Sequence, residues 1–233
     1  MQSTEVKKYN PQSEGVLYYH EVFLSIQGES TGAGLPCVFI RLYGCNVKCA
    51  FCDQPQRKED RHKISVEHLV QKAIAFGCKN ICITGGEPMI QSDEVYQLAL
   101  ELISDYGCKV SIETNGCTPI PDLYYPRDLK FVMDIKCPSS MVSEKNVYEN
   151  LMILRTYDEV KFVIGSREDY EFMKKILKTY PTAAKILVSP VFRYRLGEWY
   201  CSNIGRELVK WLLEDKMYNI RVQLQMHKII NVQ

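Results

Sequence analysis

Six short stretches of this 233-residue chain are nearly continuously apolar: Cys37–Leu42, Asn80–Thr84, Lys109–Glu113, Phe131–Lys136, Glu159–Ile164 and Lys185–Ser189. Each is rich in Val, Ile or Phe. Runs of this length and character suit strands of a parallel sheet covered on both faces. Between them the pattern changes to a helical period. Ser65 can cap a helix running to Phe76, with Gly77 past its end. Ser92 can cap Asp93–Tyr106, where Leu98, Leu102 and Ile103 share a face and Gly107 follows. Ser143 opens a helix through about Leu154. Ser166 with Asp169 resembles a capping box and opens a helix that stops before Pro181. Gly205–Lys216 is a further amphipathic segment. Cys117–Leu129 holds three prolines and no helical period, which predicts a loop.

Strands that alternate with helices imply right-handed βαβ units. These build either an open doubly wound sheet or a curved partial barrel, and in both the ligand chemistry belongs at the carboxyl ends of the strands. The unusual residues obey that rule. Gly44-Cys45, Gly85-Gly86-Glu87-Pro88, Thr114-Asn115-Gly116, Lys136 and Ser189-Pro190 each follow or end a strand. No linker or composition break divides the chain. Residues 1–15 read as a polar lead-in and 16–233 as one domain with a substrate-binding C-terminal segment.

Charge and composition exclude several classes. With 29 Lys and Arg against 28 Asp and Glu, the net charge is +1, and no basic block marks a nucleic-acid surface. No apolar run approaches the ~20 residues that span a bilayer. The polar start, MQSTEVKKYNPQSEG, has no apolar segment after its lysines and is not a secretory signal. A cytoplasmic protein is expected, and ten cysteines there do not read as a disulfide framework. Cys37, Cys78, Cys82, Cys108, Cys117, Cys137 and Cys201 are expected as small core residues.

The other cysteines carry the chemistry. Cys45, Cys49 and Cys52 stand in a C-x3-C-x2-C run, with no further cysteine until Cys78. A zinc site needs a fourth ligand, and His62 and His68 follow the triplet, so zinc stays open. An electron-carrying cluster needs four cysteines. Three thiolates suit a four-iron cluster whose fourth iron is left for a substrate or cofactor. One strand later, Thr84-Gly85-Gly86-Glu87-Pro88 offers glycines for close backbone approach, and carbonyls and a carboxylate that can accept from an ammonium.

The triplet, the aromatic Phe51 before its last cysteine, and Gly-Gly-Glu-Pro resemble the radical S-adenosylmethionine superfamily. The resemblance covers essentially the whole chain. It implies a single-domain α/β fold, the partial six-unit (β/α) barrel of that superfamily, and a 4Fe–4S cluster on Cys45, Cys49 and Cys52. It also implies reductive cleavage of S-adenosylmethionine to methionine and a 5′-deoxyadenosyl radical that takes a hydrogen atom from substrate. Phe51, Cys52, Asp53, Gly86, Glu87, Asp134, Lys136, Ser189, Pro190, Val191 and Phe192 are the implied contacts to S-adenosylmethionine, with Gly86 and Glu87 at its ammonium.

Two end segments narrow the resemblance. Phe23-Leu24-Ser25-Ile26-Gln27-Gly28-Glu29-Ser30, with Gly34-Leu35-Pro36 and Phe39-Ile40-Arg41-Leu42, lies near the start. Gln223-Leu224-Gln225-Met226-His227-Lys228 lies near the end. Both are similar to the 7-carboxy-7-deazaguanine synthase family. The implied reaction converts 6-carboxytetrahydropterin to 7-carboxy-7-deazaguanine with loss of ammonia, toward queuosine and related deazapurines. The implied substrate contacts are the backbone of Ile26, Gln27 and Gly28, the guanidinium of Arg41 at the substrate carboxylate, Thr84, His227, and the chain-end carboxylate of Gln233. Glu113, Glu29 and His227 are candidates for proton handling.

One position departs from the family, which commonly has Thr after Cys-Asp as a Mg²⁺ ligand. Here Gln54 offers a longer-reaching carbonyl, so Mg²⁺ dependence or its geometry is in question. The implied partners are a flavodoxin- or ferredoxin-like reductant and a second copy of the chain in a homodimer. Competing readings are a glycyl-radical-enzyme activase, which shares the triplet and Gly-Gly-Glu-Pro, and a non-enzymatic zinc or redox-sensing module. Without the rest of the chain, Ile-Gln-Gly-Glu reads as a polar turn. Gln-x-Gln-x-His likewise reads as the solvent face of a late edge strand.

Overall fold

A computed structural model describes residues 15–54, 58–195, 198–201 and 203–232. All six apolar runs are strands, to within two residues at each end. In chain order the strands are β1 (Val16–Ile26), β2 (Pro36–Leu42), β3 (His62–Ser65), β4 (Asn80–Gly85), β5 (Lys109–Thr114), β6 (Leu129–Ile135), β7 (Glu159–Ile164), β8 (Lys185–Pro190), β9 (Phe192–Arg195), β10 (Glu198–Cys201) and β11 (Ile220–Val222). The helices are α1 (Val66–Ile74), α2 (Ser92–Ser104), α3 (Asn150–Ile153), α4 (Arg167–Thr179), α5 (Ile204–Glu214) and α6 (Met226–Ile230).

One nine-stranded sheet runs β11-β8-β7-β6-β5-β4-β2-β1-β3, and β9 and β10 form a separate hairpin. From β2 to β11 every pairing is parallel, while β1 joins β2 and β3 antiparallel. The sheet is open but curved. On a flat sheet β1 and β7, five strands apart in that order, would lie roughly 24 Å from each other at ~4.8 Å per strand. Yet Glu29, three residues past the end of β1, reaches Lys161 on β7 in an ion pair. Curvature of this kind makes a partial barrel. On its convex side, buried residues of α1, α2, α4 and α5 join the strands in a common core that includes Leu17, Ile40, Ile83, Leu98, Phe162 and Leu208.

Local sequence accounts for two of the helix starts, those of α1 and α4. The Ser65 side chain accepts from the His68 amide and Ser166 accepts from that of Asp169, each satisfying a first-turn donor. At α2, Ser92 is the first helical residue and not the cap, because a 3₁₀ turn over Pro88–Gln91 leads into the helix. The helix expected from Ser143 to Leu154 does not form as one element. A 3₁₀ turn covers Ser143–Lys145, and only Asn150–Ile153 is α-helical. Asn146 stops it. Its carboxamide accepts from Lys136 N at 2.9 Å and donates to Lys136 O at 2.8 Å, which ties the chain to the end of β6. Residues 115–128 are irregular, as the prolines predict.

The chain also forms strands that the apolar runs do not show. In β1, a bulge between Tyr19 and Glu21 breaks the alternation. β3 and β11 are short, largely exposed edge strands. The C-terminal glutamines reverse the edge-strand reading: Gln223 and Gln225 are each 8% exposed, whereas Leu224 is 47% exposed. Of the cysteines expected in the core, Cys37, Cys82, Cys108 and Cys137 are buried. Cys78 and Cys117 are half-buried and Cys201 is exposed. No described helix is long and apolar enough to cross a membrane.

Candidate active site

The strands look apolar in sequence, but on the concave face every second residue is available for chemistry. Arg41 on β2, Thr84 on β4, Glu113 on β5, Asp134 on β6 and Lys161 and Val163 on β7 all line one cavity of about 370 Å³. Cys45, Cys49, Cys52, Phe51, Asp53 and Gln54 form another part of its wall. Ile26, Gln27, Gly28, Glu29, Gly86, Lys136, Val191, Phe192 and His227 join them on the wall. The structure therefore gathers most of the sequence-derived candidates around a single space. Gln233 and residues 1–14 lie outside the described residues.

Two glycines make this assembly possible. A Cβ on Gly86 would lie 1.8 Å from Gly44 O, because the Gly-Gly turn after β4 presses on the turn that leads into the thiols. The amide of Glu87 donates to that same carbonyl at 2.7 Å. A Cβ on Gly28 would lie 2.0 Å from His227 Nδ1. There the Met226 amide donates to Gly28 O at 2.9 Å, docking the C-terminal segment on the loop after β1.

The thiols present a donor set that fits an open four-iron cluster. All three are free, Cys45 and Cys52 are exposed, and Cys49 is half-buried with its pKa raised by burial against the opposing pull of Lys136. Asn115 Nδ2 lies 3.7 Å from Cys45 Sγ and 2.9 Å from Asn46 Oδ1, bracing the loop. His62 and His68 do not join the thiols. His62 packs at a tilt against Tyr19, with ring centroids 5.5 Å apart, and His68 Nδ1 lies 2.7 Å from its own helix-cap oxygen on Ser65. The zinc reading loses its fourth ligand.

Several candidates are placed differently from expectation. Glu87 is fully buried and off the cavity wall. Its carboxylate accepts from Met89 N at 2.9 Å, Thr114 Oγ1 at 2.7 Å and Asn115 N at 2.6 Å, so the side chain clamps loops together behind the cavity wall. Burial raises its pKa against those hydrogen bonds. Ser189 and Pro190 are also buried off the wall, adjoining Val191 and Phe192 that lie on it. Part of the Ile26–Gly28 backbone is already used. The Gln27 amide donates to Leu35 O, and the Gln27 carbonyl accepts from Gly34. The Gly28 carbonyl accepts from Met226 in the same way. Each carbonyl keeps its second lone pair, and side chains must do the rest.

Arg41 donates from Nε to Glu21 at 2.8 Å and sits 5.3 Å over the Phe23 ring, a geometry that orients the guanidinium toward the cavity. Asp134 Oδ1, on the cavity wall, is buried without a hydrogen-bond partner, as a group awaiting a polar ligand is; Ser189 Oγ is likewise unpartnered but lies behind the wall. Residues given no role from sequence are Lys161, Gln225 and Lys228, while Asn115, expected on the rim, proves to brace the thiol loop. Lys228 pairs with Asp53 at 2.6 Å and donates to Gln225 Oε1 at 2.9 Å. The signal for Gln225 and Lys228 lay within the Gln-x-Gln-x-His-Lys motif. Lys161 had none beyond being the one charge inside an apolar strand.

The Radical SAM superfamily model matches residues 39–183, well over half of the chain. The 7-carboxy-7-deazaguanine synthase of Methanospirillum hungatei is 40% identical over 212 residues, covering 91% of this chain and 84% of that protein. The enzyme of the same name from Koribacter versatilis is 36% identical over 220 residues, covering 90% and 95%. In fold, the crystal structure of QueE from Escherichia coli aligns with a TM-score of 0.72 at 22% identity, over 93% of this chain and all of that one. The chain thus belongs to the radical SAM superfamily and, within it, to the family of 7-carboxy-7-deazaguanine synthases.

Proposed function

We infer that this protein is a radical SAM enzyme that converts 6-carboxytetrahydropterin to 7-carboxy-7-deazaguanine with loss of ammonia, in the route to queuosine and other deazapurines. The observation that carries this reading is convergence: thiol trio, Gly-Gly turn and a polar set suited to a carboxylated pterin line one cavity. A cluster held by Cys45, Cys49 and Cys52 supplies, when reduced, the electron that cleaves S-adenosylmethionine.

The chain's own residues place and shield the reactants. Phe51, Asp53, Gly86, Asp134, Lys136, Val191 and Phe192 form the S-adenosylmethionine wall, with Ser189 and Pro190 behind it. Arg41 offers its fork to the substrate carboxylate. Gln27, Gly28, Thr84 and His227 bind the pterin, together with the Gln233 carboxylate, and Glu29 and Glu113 handle its protons. Burial, together with the nearby Lys228 cation, keeps His227 below its ordinary pKa, so it serves as a neutral hydrogen-bonding partner at neutral pH. Gln54, on the wall beside Asp53, is the proposed Mg²⁺ ligand.

Residues 16–233 act as one catalytic domain, working in the cytoplasm with a flavodoxin- or ferredoxin-like reductant. A homodimer is supported by exposed Leu213, Leu224, Ile229 and Ile230 on the C-terminal elements. The test is anaerobic incubation of reconstituted protein with dithionite, S-adenosylmethionine and 6-carboxytetrahydropterin. Formation of the deazapurine is expected. Methionine and 5′-deoxyadenosine formed without it would refute the substrate assignment.

A further inference from the structure

Two carboxylates face the substrate side of the cavity, and the protein treats them differently. Glu29, on the loop after β1, has a donor on each oxygen: Lys161 Nζ on Oε2, and Gln225 Nε2 at 2.6 Å on Oε1. Glu113, on β5, receives only neutral donors, Gln27 Nε2 at 3.2 Å and Thr84 Oγ1 at 3.1 Å. Lys161 itself is half-buried on β7, and its second carboxylate contact is Asp134 Oδ2 at 3.6 Å.

We propose that Lys161 is the positioning residue that divides labour between these two carboxylates. By direct contact it fixes Glu29 as a permanent anion, an acceptor for N–H groups of the pterin, and so leaves proton exchange to Glu113. The inference deepens the functional reading above and rests on it. Two carboxylates on one partly enclosed cavity cannot both ionise cheaply, and a single cation that touches only one of them separates their roles.

The electrostatics agree. Burial alone would raise Glu29, yet Lys161 and the hydrogen bonds from Gln225 and Lys161 carry it down to about 2. Burial raises Glu113, and the neighbouring Glu29 charge raises it further, against Lys161 and the hydrogen bonds from Cys82 and Thr84. Burial would lower Lys161, but Glu29, Asp134 and Glu113 together raise it, so it stays charged. The groups facing this centre are Glu29 and Gln27 from the loop after β1, Cys82 and Thr84 from β4, Glu113 from β5, Asp134 and Lys136 from β6, and Gln225 and His227 from the C-terminal segment.

The experiment compares wild type, Lys161→Met, Lys161→Arg and Glu29→Gln as reconstituted enzymes, measuring kcat/KM for the pterin against pH. Lys161→Met removes a cation and should lower kcat/KM about 100-fold at neutral pH. It should also move the carboxylate-governed limb to higher pH. Lys161→Arg should restore much of both. Glu29→Gln removes an anion and should move the limb to lower pH. Limbs that coincide with wild type, or that move the same way in Lys161→Met and Glu29→Gln, overturn the proposal. If Lys161→Met cannot be reconstituted, infrared spectra of the cofactor-free protein decide. A new protonated-carboxyl band at neutral pH is expected, and its absence from a folded variant overturns the proposal. A wild type that makes no deazapurine overturns the functional reading and this proposal with it. A productive wild type matched by Lys161→Met overturns this proposal alone.

Discussion

The concave face of the sheet holds a carboxylate–lysine pair at each end, and the two pairs do opposite things. At the amino ends of the strands, Glu159 accepts from Lys130 Nζ at 2.7 Å and from the amide and hydroxyl of Thr31, so both of its oxygens are satisfied within the protein. This network pins the loop after β1 across the mouth, beside a second cavity of about 320 Å³ that Gln27 shares with the first. At the carboxyl ends, Glu29 and Lys161 belong to a set left incomplete. Asp134 Oδ1 lacks a partner, Glu113 holds only neutral donors, and the thiols reach solvent. A closed network fixes shape. An open one waits for ligands, and its unsatisfied groups cost stability until those ligands bind.

That contrast can be broken from either side. The largest effect is expected at the open end: Cys49→Ser should abolish deazapurine formation, a loss greater than roughly 1,000-fold, and reduce bound iron, with the thermal midpoint of the cofactor-free protein nearly unchanged. A large fall in that midpoint would mean the thiol is structural. At the closed end the order reverses. Glu159→Ala strands a half-buried lysine and the two Thr31 donors and should cost about 3 kcal/mol of stability, read by urea titration. Activity per folded molecule should largely survive, and unimpaired stability would refute the division between the two ends.

The smallest effect concerns acid. Because Glu29 is held at about 2 and not its ordinary 4.5, its contribution to stability is complete above pH 4.5 and is lost as the pH falls toward 2. Glu29→Gln should flatten that part of the acid-unfolding curve, and a curve identical to wild type would show that the Lys161 contact does not stabilise the fold.

Much of this was legible along the chain. The six central strands announce themselves because burial on both faces demands long apolar side chains, and Ser65 and Ser166 cap helices through contacts only three residues away. Elements stabilised mainly by distant partners were not legible. β1 hides its alternation behind a bulge, and β3 gains its pairing only from β1. Asn146 breaks a helix by reaching Lys136, ten residues back. That the Glu87 carboxylate is a buried clamp was not legible either, since three donors converge on it from segments up to 28 residues apart.

The sequence by itself determined the alternation of strands and helices and the cluster of thiols. It also determined the Gly-Gly turn after β4, although the reason for Gly86, the approach of Gly44 O, belongs to the tertiary structure. These are properties of short segments, set by local sterics and by how many sulfur donors stand within a few residues of each other. Only the tertiary structure decided which charges meet. Lys161 finds Glu29 132 residues away, and Glu29 finds Gln225 across 196. No periodicity records such pairings, because they exist only once the sheet curves and closes a low-dielectric space around them.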